Sequence, residues 1–173
     1  MKKFILAVFC LLVAASANWN GNRWNDEKYK FTFEIPGAWQ IDPATRRRAY
    51  ANRGDGVTEF YVEVHPAKKK DAPEKRNAKE LATDSMRGYD SWRYVAGREL
   101  TGGDRKGAQT AFSVMYSRSI LQRATSRPVQ VIAQEGYYIK GDNAYIVTMV
   151  TDSDTWESAK KDLMQTWNSF RVQ

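Results

Sequence analysis

Apolar and polar residues alternate with a period of two over much of this chain. From Tyr29 to Ile35 the apolar side chains point to one side, while Lys30, Thr32 and Glu34 point to the other. This alternation is typical of a half-buried β-strand, and Pro36-Gly37 ends it. Further extended segments are predicted at 39–41, 47–51, 57–65, 92–100, 109–118, 129–140 and 144–151.

Turn-forming residues connect these strands into hairpins. The segment 52–56, NRGDG, separates two of them, and Gly, Asn and Asp tolerate the positive φ angles of tight turns. Gly141-Asp142-Asn143 is the strongest hairpin signal in the chain. Residues 101–107, TGGDRKG, predict another turn, and residues 119–128 predict a basic loop or hairpin end. Consecutive strands joined in this way predict a mostly antiparallel sheet.

Two segments carry helical signals. Asn77 with Glu80 forms a capping box, and the helix that it begins is predicted to end near Gly88. Asp154 with Glu157 predicts a second cap. The apolar stripes at helical spacing are Ala78, Leu81, Ala82 and Met86 in the first helix, and Trp156, Ala159, Lys160 (by its stem), Leu163 and Trp167 in the second. Four strands, a helix, four strands and a helix predict an α+β fold, with a mostly antiparallel β-sheet flanked by helices.

The N-terminus has the pattern of a signal peptide. Lys2 and Lys3 precede an apolar run, Phe4 to Ala15, which is too short to span a bilayer as a helix. Ala15-Ser16-Ala17 provides the small residues of a cleavage site, so residues 1–17 are predicted to be removed after Ala17. Residues 18–27 are polar and are expected to form a flexible lead. The remaining 28–173 are expected to form a single α+β domain.

Composition indicates an exported bacterial protein, Gram-negative in type, that lies in the periplasm or is secreted. Its one cysteine, Cys10, would leave with the signal peptide, so the core must hold without disulfides. The formal charge is +7, or +5 once Lys2 and Lys3 are removed. This moderate excess allows weak contact with anionic surfaces.

The residue inventory argues against most catalytic chemistry. One histidine and no mature cysteine leave no zinc motif, and no phosphate-binding or dinucleotide motif is present, so no cofactor is expected. His65 precedes Pro66 and is interpreted as a surface residue, since no serine here lies in a GxSxG motif. Glu59 and Glu63 would be about 13 Å apart along one strand, beyond the separation of about 9.5 Å at most that glycosidases use. Asp152, Asp154 and Glu157 match calcium-ligand spacing weakly.

Basic residues provide the candidate contact sites. The residues considered for contact with an anionic surface are Lys68, Lys69, Lys70, Lys75, Arg76, Arg123 and Arg127. They lack the interleaved aromatic residues of a nucleic-acid binder, so no nucleic acid is expected as a partner. Arg46 to Arg48 form a further cluster with the same limitation. The tripeptide Arg53-Gly54-Asp55 is interpreted as a structural turn, with an adhesive role as the alternative.

The order of motifs resembles the PsbP-like superfamily. The opening FTFEIPGAW, residues 31–39, and the closing hairpin and helix, residues 136–170, carry the resemblance. This superfamily includes an extrinsic photosystem II subunit, a Ran-binding import factor and bacterial envelope proteins. The resemblance implies an antiparallel sheet flanked by helices that serves as a binding scaffold rather than a catalyst, and it carries over no site residue.

Three functional hypotheses follow. The first is a monomeric accessory protein that docks an unknown protein or other component of the cell envelope, through an aromatic or basic patch on the sheet or in the loops after Arg118 and Pro66. The second is a carrier that holds a small molecule or lipid in an aromatic-lined cavity. The third, a hydrolase that uses His65 or a carboxylate pair, is the least favoured.

Overall fold

A computed structural model describes residues 19–41, 49–69, 72–75, 77–88, 92–121 and 127–173 of the chain. Its largest part is a seven-stranded sheet, which consists of β4 (Gln40–Ile41), β5 (Ala49–Asn52), β6 (Glu59–Pro66), β9 (Trp92–Glu99), β10 (Thr110–Leu121), β11 (Pro128–Lys140) and β12 (Asn143–Asp152). The order of the strands across the sheet is β4-β5-β6-β12-β11-β10-β9. All neighbours are antiparallel, which confirms the predicted α+β class.

The two predicted hairpin turns are confirmed. β5 pairs with β6 on either side of residues 53–58, and β11 pairs with β12 across Gly141, whose φ is 60°. The segment 119–128, predicted as a basic loop or hairpin end, is a hairpin end over its described residues. β10 continues to Leu121 and pairs with β11 from Pro128 onward, because the alternating pattern on both strands extends into this segment.

A second, four-stranded sheet has the order β1-β2-β3-β13. Its strands are β1 (Trp19–Asn20), β2 (Arg23–Asp26), β3 (Phe31–Glu34) and β13 (Arg171–Val172). The expectation of a flexible lead at 18–27 is therefore wrong over the described residues. Trp24 and Asp26 are buried because β2 pairs with β3, which places the Trp24 ring 6.4 Å from that of Phe33.

Two helices pack on the sheets. α1 (Ala78–Arg87) begins at the predicted capping box of Asn77 and Glu80 and ends at Gly88, and its predicted apolar stripe is buried. α2 (Trp156–Ser169) also buries its predicted stripe, except that Trp156 is only half-buried and Lys160 is exposed. Its predicted cap is wrong, because the helix begins one residue later than the pattern suggested. Thr155 is the N-cap residue, and Asp152, not Asp154, accepts the hydrogen bond of the Thr155 N–H at 2.6 Å.

The segment predicted as a charged linker, 66–76, contains a small hairpin. Strands β7 (Lys68–Lys69) and β8 (Ala72–Lys75) form a two-stranded antiparallel sheet. The signal peptide, Arg46 to Arg48, Lys70, Arg76 and Arg123 lie outside the described residues. Within the described part of the chain, no helix is long and apolar enough to cross a membrane.

The seven-stranded sheet has an apolar cluster on each face. One lies between this sheet, the smaller sheet and α2, and includes Phe31, Phe60 and Trp167. The other lies under α1 and includes Leu81, Tyr116 and Tyr137. β9 is largely outside both, since every residue from 93 to 99 is exposed. In the described structure the sheet therefore has a well-packed centre, and β9 is an exposed edge strand.

Candidate functional site

α1 and the open edge of the large sheet enclose a groove of about 280 Å³. We call it the α1–β9 groove. It is lined by Lys79, Ala82, Thr83, Met86, Arg87, Trp92, Tyr94, Phe112 and Val114. A smaller hollow of about 200 Å³ shares Lys79 and Phe112 with it and continues toward Glu99 and Asn77. Together they form a trough that follows the helix from its first turn to its last.

The helical wall of the groove follows from the spacing of the α1 sequence. Residues 79, 82, 83, 86 and 87 lie on one side of an α-helix, since they recur every three or four positions. Ala82 and Met86 are buried and form the apolar part of the wall. Lys79 and Arg87 are exposed at the rim, where the Arg87 guanidinium lies 3.4 Å from the Asp84 carboxylate.

The opposite wall is made by aromatic side chains of β9 and β10. The rings of Trp92 and Tyr94 meet edge to face with centroids 6.4 Å apart. Tyr94 lies back along its own strand over Gly97, where a Cβ atom would be 2.9 Å from the Tyr94 Oη and 3.3 Å from the Phe112 Cζ. Gly97 thus provides the space in which the Tyr94 ring lies. Tyr94 is nevertheless 55% exposed and is available for contact.

A bulge in β9 separates its two halves. Met115 of β10 pairs with Ala96 and Tyr116 with Tyr94, so Val95 is the extra residue. Val95 is 54% exposed, and together with Tyr94 it places two large apolar side chains at the sheet edge. Bulges are common at sheet edges, where they redirect side chains. In the described structure β9 pairs with β10 alone, so its other edge carries open backbone groups.

A buried carboxyl group lies beneath the groove. The Trp92 ring packs edge to face on that of Tyr116, whose hydroxyl donates a 2.6 Å hydrogen bond to Glu135. Tyr137 donates to the other oxygen of the same carboxyl group. Glu135 is 1% exposed and lies in register with the apolar residues of β11. A buried polar group requires such hydrogen bonds, and these link β10 to β11 under the floor of the groove.

His65 is an exposed surface residue, as predicted. Its Nε2 lies 3.2 Å from the Glu63 carboxylate, and this hydrogen bond raises the pKa of His65 against the opposing effect of partial burial. Glu59, the other carboxylate considered, accepts a hydrogen bond from the Tyr50 hydroxyl. Within the described chain, no hydroxyl-bearing side chain is hydrogen-bonded to His65. His65 and the groove are separate sites.

Asp55 is engaged inside the turn of the RGD tripeptide. One of its oxygens accepts the N–H groups of Val57 and Thr58 at 3.1 and 2.7 Å, and the other accepts the Thr58 hydroxyl at 2.6 Å. Burial alone would raise the pKa of Asp55, but these hydrogen bonds outweigh it, so the pKa is lowered. Asp55 of the tripeptide therefore stabilises the turn, which is the structural role that turn chemistry predicts.

The predicted basic residues that the structure describes lie in two separate places. Lys68 pairs with Lys75 in the β7–β8 hairpin. This hairpin lies near one end of β11, because the N–H of the preceding residue, Ala67, donates a hydrogen bond to the carbonyl oxygen of Asp142. Arg127 is exposed at the other end of β11. A strand of 13 residues is roughly 40 Å long, so the hairpin and Arg127 lie far apart. Over the described residues, no cluster of three potential metal-ligating side chains occurs, Asp152 to Glu157 included.

The sequence predicted the helix and the strands that line the groove, but not the groove itself. The visible signal was the segment 92–99, in which charges occupy both faces of the strand, since Arg93 and Arg98 lie on one face and Glu99 lies on the other. A strand covered on either side would not carry that pattern. Glu135 also gave a signal, as a carboxylate in the apolar register of Val131 and Tyr137. Neither signal indicates which helix approaches the edge.

The fold defines a structural class: an antiparallel sheet with helices packed on it, arranged as in PsbP. The chain resembles the solution structure of cyanobacterial PsbP (CyanoP) from Synechocystis sp. PCC 6803, with a TM-score of 0.56 and 13% identity over 87% of this chain and 91% of that one. The PsbP-like fold expected from the sequence is thereby confirmed.

Two further solved structures share this fold. LpqN of Mycobacterium tuberculosis, described as involved in cell envelope biogenesis, has a TM-score of 0.56 and 11% identity over 90% of this chain and 86% of that one. A mutant of the protein Mog1 has a TM-score of 0.53 and 12% identity over 89% and 96%. No family model and no curated protein matches the chain by sequence. At these identities the likeness concerns the fold alone.

Proposed function

We propose that this protein is a non-catalytic binding protein, and that the α1–β9 groove docks a segment of a protein partner. One observation carries the proposal. An apolar groove walled by Met86, Trp92 and Phe112 adjoins an edge strand whose Tyr94 and Val95 are more than half exposed. Exposed aromatic residues around a concave apolar site are typical of binding surfaces.

The size of the groove favours a protein segment over a carried small molecule. Small-molecule sites usually enclose about 300–1,000 Å³ and bury most of the ligand. The α1–β9 groove, at about 280 Å³, lies just below this range and is open to solvent. It accommodates one or two apolar side chains of a larger partner. The carrier hypothesis is the alternative that the experiment below distinguishes.

The chemistry of the groove supports binding rather than catalysis. General acid–base catalysis depends on a positioned group such as a carboxylate or histidine. The lining contains neither, and its ionisable side chains are Lys79, Arg87 and Tyr94. The Asp84 carboxylate at the rim pairs with Arg87, and the buried carboxyl group of Glu135 is held by two tyrosine hydroxyls.

An envelope location is part of the proposal. The N-terminal pattern favours export, and LpqN, which has a similar fold, is described as involved in cell envelope biogenesis. A partner in the envelope would be accessible to an exported protein. Arg127 and the β7–β8 hairpin would add weak contacts with anionic surfaces at opposite ends of the sheet.

Site-specific photo-crosslinking tests the proposal in cells that make the protein. A photoreactive phenylalanine analogue replaces Tyr94 in one strain and Lys161, which is exposed on α2, in a control strain. We expect a discrete protein adduct from position 94 and none of the same mass from position 161. Equal adducts, or none at position 94, would contradict the proposal. A small-molecule adduct at position 94 would favour a carrier.

A further inference from the structure

We propose that the partner binds by strand addition: an extended segment pairs with the open edge of β9 and carries acidic side chains on the face away from α1. The inference rests on the proposed function and specifies how the partner is recognised. Strand addition uses backbone hydrogen bonds for affinity and alternate side chains for specificity.

β9 has the geometry of a template strand. It is eight residues long and pairs on one side only within the described structure. Neither of its faces is covered, since all residues from 93 to 99 are exposed. A strand of this kind presents a row of unpaired N–H and C=O groups to another chain. The bulge at Val95 interrupts the row once and leaves extended backbone on both sides of it.

The two faces of β9 call for different side chains in the partner. Trp92, Tyr94 and Gly97 lie on the α1 face, since they contact the groove residues. Arg93 and Arg98 lie on the opposite face, since they pair with Ser117 and Ser113 of β10. Alternate residues of an added strand would therefore meet an apolar surface and a cationic surface.

The charges on the face of β9 away from α1 favour an acidic partner. The Arg98 guanidinium lies 3.4 Å from Asp104, whereas Arg93 has no ion pair among the described residues. Opposite charges directly across two strands stabilise their pairing, and like charges destabilise it. An acidic residue facing Arg93 therefore favours pairing.

The same charges disfavour a second copy of this chain. Full antiparallel overlap of two β9 strands pairs residue 92 with 99, and so places Arg93 of one copy opposite Arg98 of the other. This arrangement occurs twice in such a dimer, with two guanidinium groups facing each other each time. The occupant is thus a different sequence, apolar at every second position and acidic between.

Random ten-residue peptides displayed on phage test the inference. They are selected on the wild-type protein, and the selected peptides are compared on Arg93→Glu and on the matched charge reversal Lys161→Glu. We expect sequences that alternate apolar and acidic residues, with affinity at least tenfold weaker for Arg93→Glu and unchanged for Lys161→Glu. Unchanged melting temperatures of both variants show that the fold is intact.

N-methylation of a selected peptide identifies the backbone bonds. Because alternate amides of an added strand face β9, methylation of one alternate set should weaken binding at least tenfold and methylation of the other set should have little effect. Equal effects of both sets, or selected peptides without alternation or sensitivity to Arg93→Glu, would overturn strand addition. If Trp92→Ala weakens binding while neither methylated set does, docking in the groove stands and strand addition is wrong.

Discussion

At Gly136, the packing of the core leaves no space for a side chain. A Cβ atom there would lie 2.5 Å from Cε2 of Tyr138 and 2.7 Å from Cη2 of Trp167, both in the core under α2. Overpacking of this kind costs about 1–3 kcal/mol. We predict that Gly136→Ala lowers the free energy of unfolding by about that amount, measured by urea denaturation.

The matched control is Gly103→Ala. A Cβ atom on Gly103 meets no other atom within 4 Å, and Gly103 does not have a positive φ. The free energy of unfolding should therefore change by less than about 0.5 kcal/mol, as for most surface substitutions. Equal losses in both variants would mean that the change at Gly136 does not act through packing against Tyr138 and Trp167.

His65 gives a prediction of pH dependence. Its hydrogen bond to Glu63 raises its pKa above the usual 6.5. Because this is the only histidine in the chain, its ring protons give one titration curve by NMR. We predict a midpoint above that of an unfolded control, and a lower midpoint in Glu63→Gln. A midpoint that the substitution leaves unchanged would contradict the assigned cause.

The sign of the linked stability follows from this shift. A raised pKa in the folded state means that the protonated form is stabilised by folding. The contribution is fully present below the pKa of unfolded His65 and is lost as the pH rises through the folded pKa. It should be small, since both side chains are more than one-third exposed.

At the scale of elements, the start of α2 separates two aspartates that look equivalent in sequence. Asp152 accepts the Thr155 N–H, while Asp154 is exposed and has no hydrogen bond within the described structure. The Asp152 side chain is not the N-cap, but it fixes the turn before the helix, and losing such a hydrogen bond costs about 1 kcal/mol. We predict a loss of about that size in the free energy of unfolding for Asp152→Ala, and a much smaller one for Asp154→Ala. The reverse order would show that the sequence pattern identified the cap correctly.

The elements that the sequence predicts are those specified by neighbouring residues. The cap and stripe of α1 lie within twelve residues, and the β11–β12 turn lies within three. β13 is different, since Arg171 pairs with Thr32 across nearly the whole chain. Its two residues have no local signal. β1 and β2 have partners close in sequence, since β1 pairs with β2 and β2 with β3, but their polar residues lack the alternating pattern that predicts a strand.

At the scale of the molecule, the site depends on an arrangement that no local pattern encodes. Trp92, Phe112 and Met86 belong to three elements, each predicted correctly. Their meeting depends on α1 packing over β10 and β11 while leaving β9 uncovered. The charges on both faces of β9 indicate an uncovered strand, but not its neighbour. The groove could therefore be recognised only in the folded chain.

The clearest test of the central claim, that this edge is the binding surface, is backbone hydrogen exchange. The free protein is compared with its complex with the partner identified by crosslinking at position 94. The account predicts slower exchange in 78–88 and 92–99 on binding, with 52–58 and 171–173 unchanged. Slowed exchange elsewhere, with no change in 92–99, would contradict it.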